Sequence, residues 1–234
     1  MKKEETADMT DVLQESAAKD TVTDVTAANP EGGEKRPSEN PYLKKRRLSL
    51  RQLTIIGLLA AVTLVLGMTP FGLIRIPPIN ATTLHIPTII AAILEGPRAG
   101  VAVGFVFGSY SLFQNMVAPN IMSMFFLNPL VSVLPRMLFG PLAYLVYRLI
   151  PLKRDFIRIT LSAFIGTLLH TTMVMGAIYF LYKDEYASLK NMPVENVVNI
   201  IVGVAISHGT MEAVVAALLV TPVVIVAKKA LRKK

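Results

Sequence analysis

The feature that most constrains this chain is a succession of apolar runs, each bracketed by basic or polar residues. The first extends from Leu53 to Ile74 without a charge. A run of that length matches the hydrocarbon thickness of a bilayer when helical, because about 20 residues at ~1.5 Å each span the apolar layer. The mean hydropathy of +0.51 and the 53% hydrophobic content exclude an ordinary globular domain. The 234 residues include no cysteine, which removes disulfides, thiol nucleophiles and cysteine metal sites together.

Charge is divided along the chain. The overall +8 combines −5 over residues 1–40 with +13 over the remainder. Residues 1–42, rich in Glu, Asp, Thr, Ala and Lys, lack an apolar stretch able to offset chain entropy and are expected to form a disordered acidic cytoplasmic tail. A charged, acidic leader also predicts no secretory signal. The bases sit beside the apolar runs, beginning with Lys44-Lys45-Arg46-Arg47, which points to membrane orientation and anionic lipid headgroups rather than nucleic acid.

Six helices are expected within a membrane domain at 43–234, the fold class being an all-α integral membrane bundle. The first covers 53–74, and Arg75-Ile76-Pro77-Pro78-Ile79-Asn80 cannot continue it, so an external loop is predicted there. A short second helix at 84–94 turns at Glu95-Gly96-Pro97-Arg98 into a third at 99–116, whose Gly100, Gly104 and Gly108 leave one face open to close backbone approach. A polar loop over 114–120 precedes a fourth helix at 124–150. Pro129, Pro135 and Pro141 interrupt it, and such irregularity is tolerated where protein or a wet cavity meets the freed backbone. Helices at 157–182 and 197–227 follow. Alternating the loops leaves only Arg75, Lys183 and Lys190 on the outer side, with all other flank and short-loop Lys and Arg opposite, so both termini are expected in the cytoplasm.

The segment from Asn80 through Thr82-Thr83-Leu84-His85-Ile86-Pro87 to Glu95-Gly96-Pro97-Arg98, with Gly104 and Gly108, resembles the substrate-binding S components of energy-coupling factor (ECF) vitamin transporters. The resemblance continues through Leu134-Pro135-Arg136 to Gly140, and through Glu212 to Thr221-Pro222, covering about residues 50–234. It implies a six-helix subunit of a prokaryotic plasma membrane that takes a vitamin from outside. The subunit would join a membrane T component and two ATP-binding-cassette ATPases, and deliver its cargo by toppling. The chain has no phosphate-binding Gly-x-x-x-x-Gly-Lys loop, in keeping with ATP hydrolysis by partners and no cofactor of its own. Within the family it looks most like the pantothenate-type branch, with pyridoxine- or hydroxymethylpyrimidine-type vitamins and folate as alternatives. Where family members carry Ala-x-x-x-Ala for the T component, this chain reads Gly57, Ala60 and Ala61, which are taken as the docking residues.

Asn128, Ser132 and Arg136 follow one another at steps of four, a single stripe on a continuous helix. An intramembrane arginine needs a partner, and its fork fits a carboxylate such as pantothenate would offer; an internal pair with Glu212 satisfies the same cost. His170, with Thr171 and Thr172, forms a polar island that either faces a cavity or joins helices. The amides Asn80, Asn115 and Asn199 lie near the external ends, where they suit a ligand's hydroxyls or simply cap turns. His85 reads as ligand contact or helix-end packing, His208 and Glu212 as a structural pair without a third metal ligand, and the scattered methionines as gap fillers. No metal site is expected. An intramembrane enzyme using His170, His208 and Glu212 is the alternative of a different class, and it lacks any recognisable catalytic motif.

Overall fold

The structure is a computed structural model that describes residues 48–232 apart from Phe71, Pro77, Pro78 and Ile121. The acidic tail and the basic cluster at 44–47 therefore lie outside the described residues.

Helix α1 (Leu50–Met68) starts at a capping box, in which the Ser49 hydroxyl accepts from Gln52 N–H at 3.2 Å and Gln52 Oε1 accepts from Ser49 N–H at 3.1 Å. It ends six residues short of the expected boundary. Thr69 precedes Pro70 and adopts extended geometry, as sterics before proline require. The expected external loop is instead a small antiparallel hairpin. Strand β1 (Leu73–Ile76) pairs with β2 (Ile79–Thr82), Leu73 opposite Thr82 and Ile76 opposite Ile79. Apolar, β-prone residues on each side of a proline pair favour extended backbone over the helix that hydropathy alone suggests.

Helix α2 (Ile86–Glu95) and helix α3 (Pro97–Val117) form the expected hairpin. Gly96 between them has φ 91°, a left-handed conformation natural to glycine, and Pro97 occupies the first helical turn where its missing N–H costs nothing. Helix α3 runs through Val117, so the first half of the predicted polar loop is helical. The single fourth helix is not continuous. It is broken into α4 (Ser123–Phe126), α5 (Pro129–Ser132) and α6 (Leu134–Leu149), because Pro129 and Pro135 each begin a helix rather than kink one. Helices α7 (Asp155–Leu189) and α8 (Val197–Arg232) are both longer than expected, and α7 changes direction at Tyr182.

Among the described residues, five helical segments are long and apolar enough to cross a membrane, α5 and α6 counting together as one. The remaining apolar helix, α2, has ten residues, too few at ~1.5 Å each for a ~30 Å hydrocarbon core. The six-span expectation thus becomes five membrane-length segments and one short helix. Ile86 through Ile93 of that short helix are all buried.

Two large apolar clusters hold the bundle, with a smaller one of Ala91, Ala99 and Val103 beside α1. One gathers Ile89, Phe139, Ile159, Ala163, Ala216 and Val220; the other gathers Phe125, Val131, Val174, Ile178, Tyr186 and Ile201. Large apolar side chains also cover the outside, with Leu50, Phe180 and Leu218 strongly exposed, as suits a surface facing lipid. At one end, Tyr147 ties three helices: its carbonyl accepts from Arg158 Nε at 2.8 Å and its hydroxyl from Lys228 Nζ at 2.6 Å.

The glycine stripe of α3 is where α6 approaches. A Cβ on Gly100 would stand 3.0 Å from Gly140 Cα, one on Gly108 2.7 Å from Val133 Cα, and one on Gly104 would collide with the Arg136 carbonyl oxygen. These are backbone neighbours that cannot rotate away. Gly104→Ala is expected to cost roughly 1–3 kcal/mol as an overpacked contact. Thermal unfolding in detergent should show a lowered midpoint, while Gly57→Ala, with nothing within 4 Å of its added Cβ, should leave it unchanged.

Candidate functional site

Between the two larger apolar clusters three helices bring in strongly polar residues. On α6, Arg136 falls between Val131 and Phe139; on α7, His170 falls between Ala163 and Val174; on α8, Glu212 falls between Ile201 and Ala216. His85, at the junction of β2 and α2, joins them. The result is a polar layer assembled inside an apolar bundle from four separate parts of the chain.

Arg136 is 5% exposed. Its guanidinium donates through one terminal nitrogen to the carbonyls of Val131 at 3.0 Å and Ser132 at 2.7 Å, and packs on the rings of Phe107 at 5.0 Å and Phe126 at 5.4 Å. The break at Val133 and the missing N–H of Pro135 are what make those carbonyls available, since in a continuous helix Val131 would face residue 135 and Ser132 would accept from residue 136. Its Nε–H makes no hydrogen bond. Arg136 and Glu212 are close enough for each to influence the other's charge, yet the ion pairs among the described residues are Arg51–Glu95 and Lys228–Asp155.

Glu212 is anchored differently. Its Oε1 accepts from the backbone N–H of Thr82 at 2.6 Å and its Oε2 from the Thr171 hydroxyl at 3.4 Å, so it fastens the hairpin to α7 and α8. The imidazoles of His85 and His170 stack at 5.6 Å with 15° between their planes, and Phe139 and Phe107 flank His170 at 5.0 Å and 5.7 Å. Both rings are buried, and none of their four nitrogens makes a hydrogen bond; the Thr82 backbone comes near the His85 ring without hydrogen-bond geometry. The Thr88 hydroxyl, one turn along α2 from His85, is likewise buried without a partner. Each buried polar group left unsatisfied costs about 1–3 kcal/mol, so their concentration beside one arginine marks a place organised around something polar.

Ligand atoms of His85, His170 and Glu212 all lie within 4.8 Å of one another, which brings together three residues of metal-binding type. An ion with ~2.0–2.1 Å bonds would sit in the plane of each imidazole. Two nearly parallel, stacked rings would have to turn before sharing one.

Of the residues singled out from sequence, Arg136, His170 and Thr171 come together here. Asn128 is not on a continuous stripe with Arg136, because it caps α5, accepting from Leu130 N–H at 2.9 Å while its amide donates to the Tyr182 hydroxyl at 2.9 Å. Ser132 is buried and donates to the Phe126 carbonyl. Asn115 accepts from Ser123 Oγ at 2.7 Å and donates to Ser111 O at 2.7 Å, joining α3 to α4. Asn199 is exposed on α8, and Asn80 lies in β2 opposite Arg75. Gly57 and Ala61 are exposed on α1, with Ala60 partly so. Thr88 was not singled out from sequence, His85 was read there as either ligand contact or helix-end packing, and Glu212 as a structural partner of Arg136 or His208. The available signal was the cost of a carboxylate and a histidine inside apolar runs, but nothing in the spacing joined residues 85, 170 and 212.

Comparison with known proteins agrees with this architecture. The family model for the ECF transporter substrate-specific component matches residues 51–224. The pantothenic acid transporter PanT of Lactococcus lactis subsp. cremoris (strain MG1363) is 28% identical over 156 residues, covering 60% of this chain and 77% of the relative. The family match reaches into all five membrane-length segments and includes His85, Arg136, His170 and Glu212, and it describes a transport subunit rather than a catalyst. This chain therefore belongs to the substrate-specific components of ECF transporters and is a multi-pass membrane protein of a prokaryote.

Proposed function

We propose that this chain captures pantothenate, or a closely similar vitamin acid, from outside the cell. It hands the vitamin to an energising module made of a membrane T component and two ATP-binding-cassette ATPases, toppling in the membrane as it does so. Both termini face the cytoplasm in this reading, which rests on the distribution of Lys and Arg. The observation that carries the substrate assignment is Arg136, a buried guanidinium with an unpartnered Nε–H and, among the described residues, no carboxylate in ion-pair contact. A guanidinium so placed is a receptor for a planar anion, since its fork matches a carboxylate in two-point fashion. The similarity to a pantothenic acid transporter supports the same acid.

Docking on the T component falls to α1. Gly57, Ala60 and Ala61 form a low-relief patch on a helix whose Leu58, Leu64 and Val65 are also exposed, and small residues allow another helix to come close.

Two measurements test these assignments. Calorimetric titration of the detergent-purified subunit should give saturable binding of pantothenate and none of pyridoxine, hydroxymethylpyrimidine or folate. Arg136→Ala should weaken pantothenate binding roughly tenfold to a hundredfold, the worth of hydrogen bonds to a charged group. A response to one of the other vitamins alone would replace the substrate while keeping the transport role. Separately, Gly57→Leu combined with Ala61→Leu should leave vitamin binding intact but abolish co-purification with the energising module. Unchanged co-purification would move the docking face elsewhere.

A further inference from the structure

We infer that His85, His170 and Glu212 form a second, hydroxyl-recognising end of the site that Arg136 begins. The substrate class is therefore a monocarboxylic acid bearing hydroxyl groups at the end away from its carboxylate. This inference rests on the proposed function and deepens it.

Three observations carry it. The first is the concentration of unsatisfied groups: four buried imidazole nitrogens and the Thr88 hydroxyl, with no protein partner within hydrogen-bond geometry. A neutral imidazole offers one donor and one acceptor, which is the complement of a hydroxyl, itself both. The second is acceptor capacity. Glu212 lies with the histidines, and its two oxygens, already accepting from Thr82 N–H and the Thr171 hydroxyl, keep lone pairs for a further donor. Acceptor oxygens there welcome O–H groups, while Arg136 supplies only donors.

The third is geometry. Arg136 and His170 share the ring of Phe107, at 5.0 Å and 5.7 Å from its centre, so the two ends are no farther apart than the length of one small molecule. Phe107, which touches both ends, and Phe139, which packs on both histidines, give the site an apolar lining that suits a hydrocarbon middle. A divalent cation is the other occupant such residues can take. Near-parallel stacked rings aim their nitrogens along separate planes, and a neighbouring guanidinium repels a cation, so a neutral polyol end fits the arrangement better.

The test compares three ligands by calorimetry: pantothenate; N-(3,3-dimethylbutanoyl)-β-alanine, which lacks both hydroxyls; and pantothenol, which has a hydroxymethyl group in place of the carboxylate. Wild type should bind pantothenate about tenfold or more tightly than the analogue without hydroxyls, a difference typical of buried hydrogen bonds left unmade. His170→Phe should weaken pantothenate by a similar factor and leave the hydroxyl-free analogue within about twofold, removing the discrimination. Arg136→Gln should do the reverse, erasing the preference over pantothenol and retaining that for hydroxyls. Because Glu212 also anchors the hairpin, His85→Gln serves as the second variant at the hydroxyl end, with thermal unfolding as the folding control.

Equal losses for both acids in His170→Phe and His85→Gln would assign the histidines to packing and overturn the inference. So would wild-type indifference to the hydroxyls. Stoichiometric Zn²⁺ binding lost in His170→Phe, with pantothenate affinity unaffected by that variant, would make the cluster a metal site instead. Silence of the wild type toward pantothenate would defeat the substrate reading itself, whereas pantothenate binding without hydroxyl discrimination defeats only this extension of it.

Discussion

A guanidinium inside an apolar bundle has to be solvated by something, and much of the architecture follows from how Arg136 meets that requirement. The chain breaks at Asn128 and again at Val133, and the second break, with Pro135 lacking an N–H, releases the carbonyls that its terminal nitrogen uses at 3.0 Å and 2.7 Å. Aromatic faces from α3 and α4 supply the rest of its surroundings at 5.0 Å and 5.4 Å. The breaks in turn follow from prolines, which cannot donate the bonds a continuous helix needs. Irregular backbone and buried charge therefore belong together: each provides for the groups the other leaves unsatisfied.

Position is set by close backbone approach. Because Gly100, Gly104 and Gly108 present no side chains, α6 lies directly on α3, and the Arg136 carbonyl sits against Gly104. The arginine is held from behind by packing that admits no added methyl group. Glu212 in turn fastens the β1–β2 hairpin to α7 and α8 through one backbone N–H and one hydroxyl. The rigid partners of the polar layer are thus backbone atoms and short side chains. The two imidazoles and the Arg136 Nε–H keep their hydrogen-bonding capacity unused within the protein.

Hydropathy located the apolar segments well but misjudged where several of them stop being helical. The run at 53–74 reads as one span, yet Thr69-Pro70 ends the helix, and residues 73–76 pair with 79–82 as strands. The segment at 124–150 reads as one interrupted helix and is three. In both cases the deciding factor is local, the geometry that proline imposes on itself and on its predecessor, while average hydropathy is blind to it. The Gly96 turn and the α3 glycine stripe were legible because they depend on residue type at fixed spacing.

The sequence by itself determined the class of molecule: apolar runs of membrane length, basic flanks, a small-residue face on α3, and a single arginine too deep to be solvated by water. It also held the family motifs between residues 51 and 224. What only the tertiary structure decided is which polar residues share one layer. His85, His170 and Glu212 are separated by 85 and 42 positions, and no helical periodicity relates them. Their juxtaposition depends on how α2, α7 and α8 rotate to bury their apolar stripes, and hence on packing across the whole bundle rather than on any local rule.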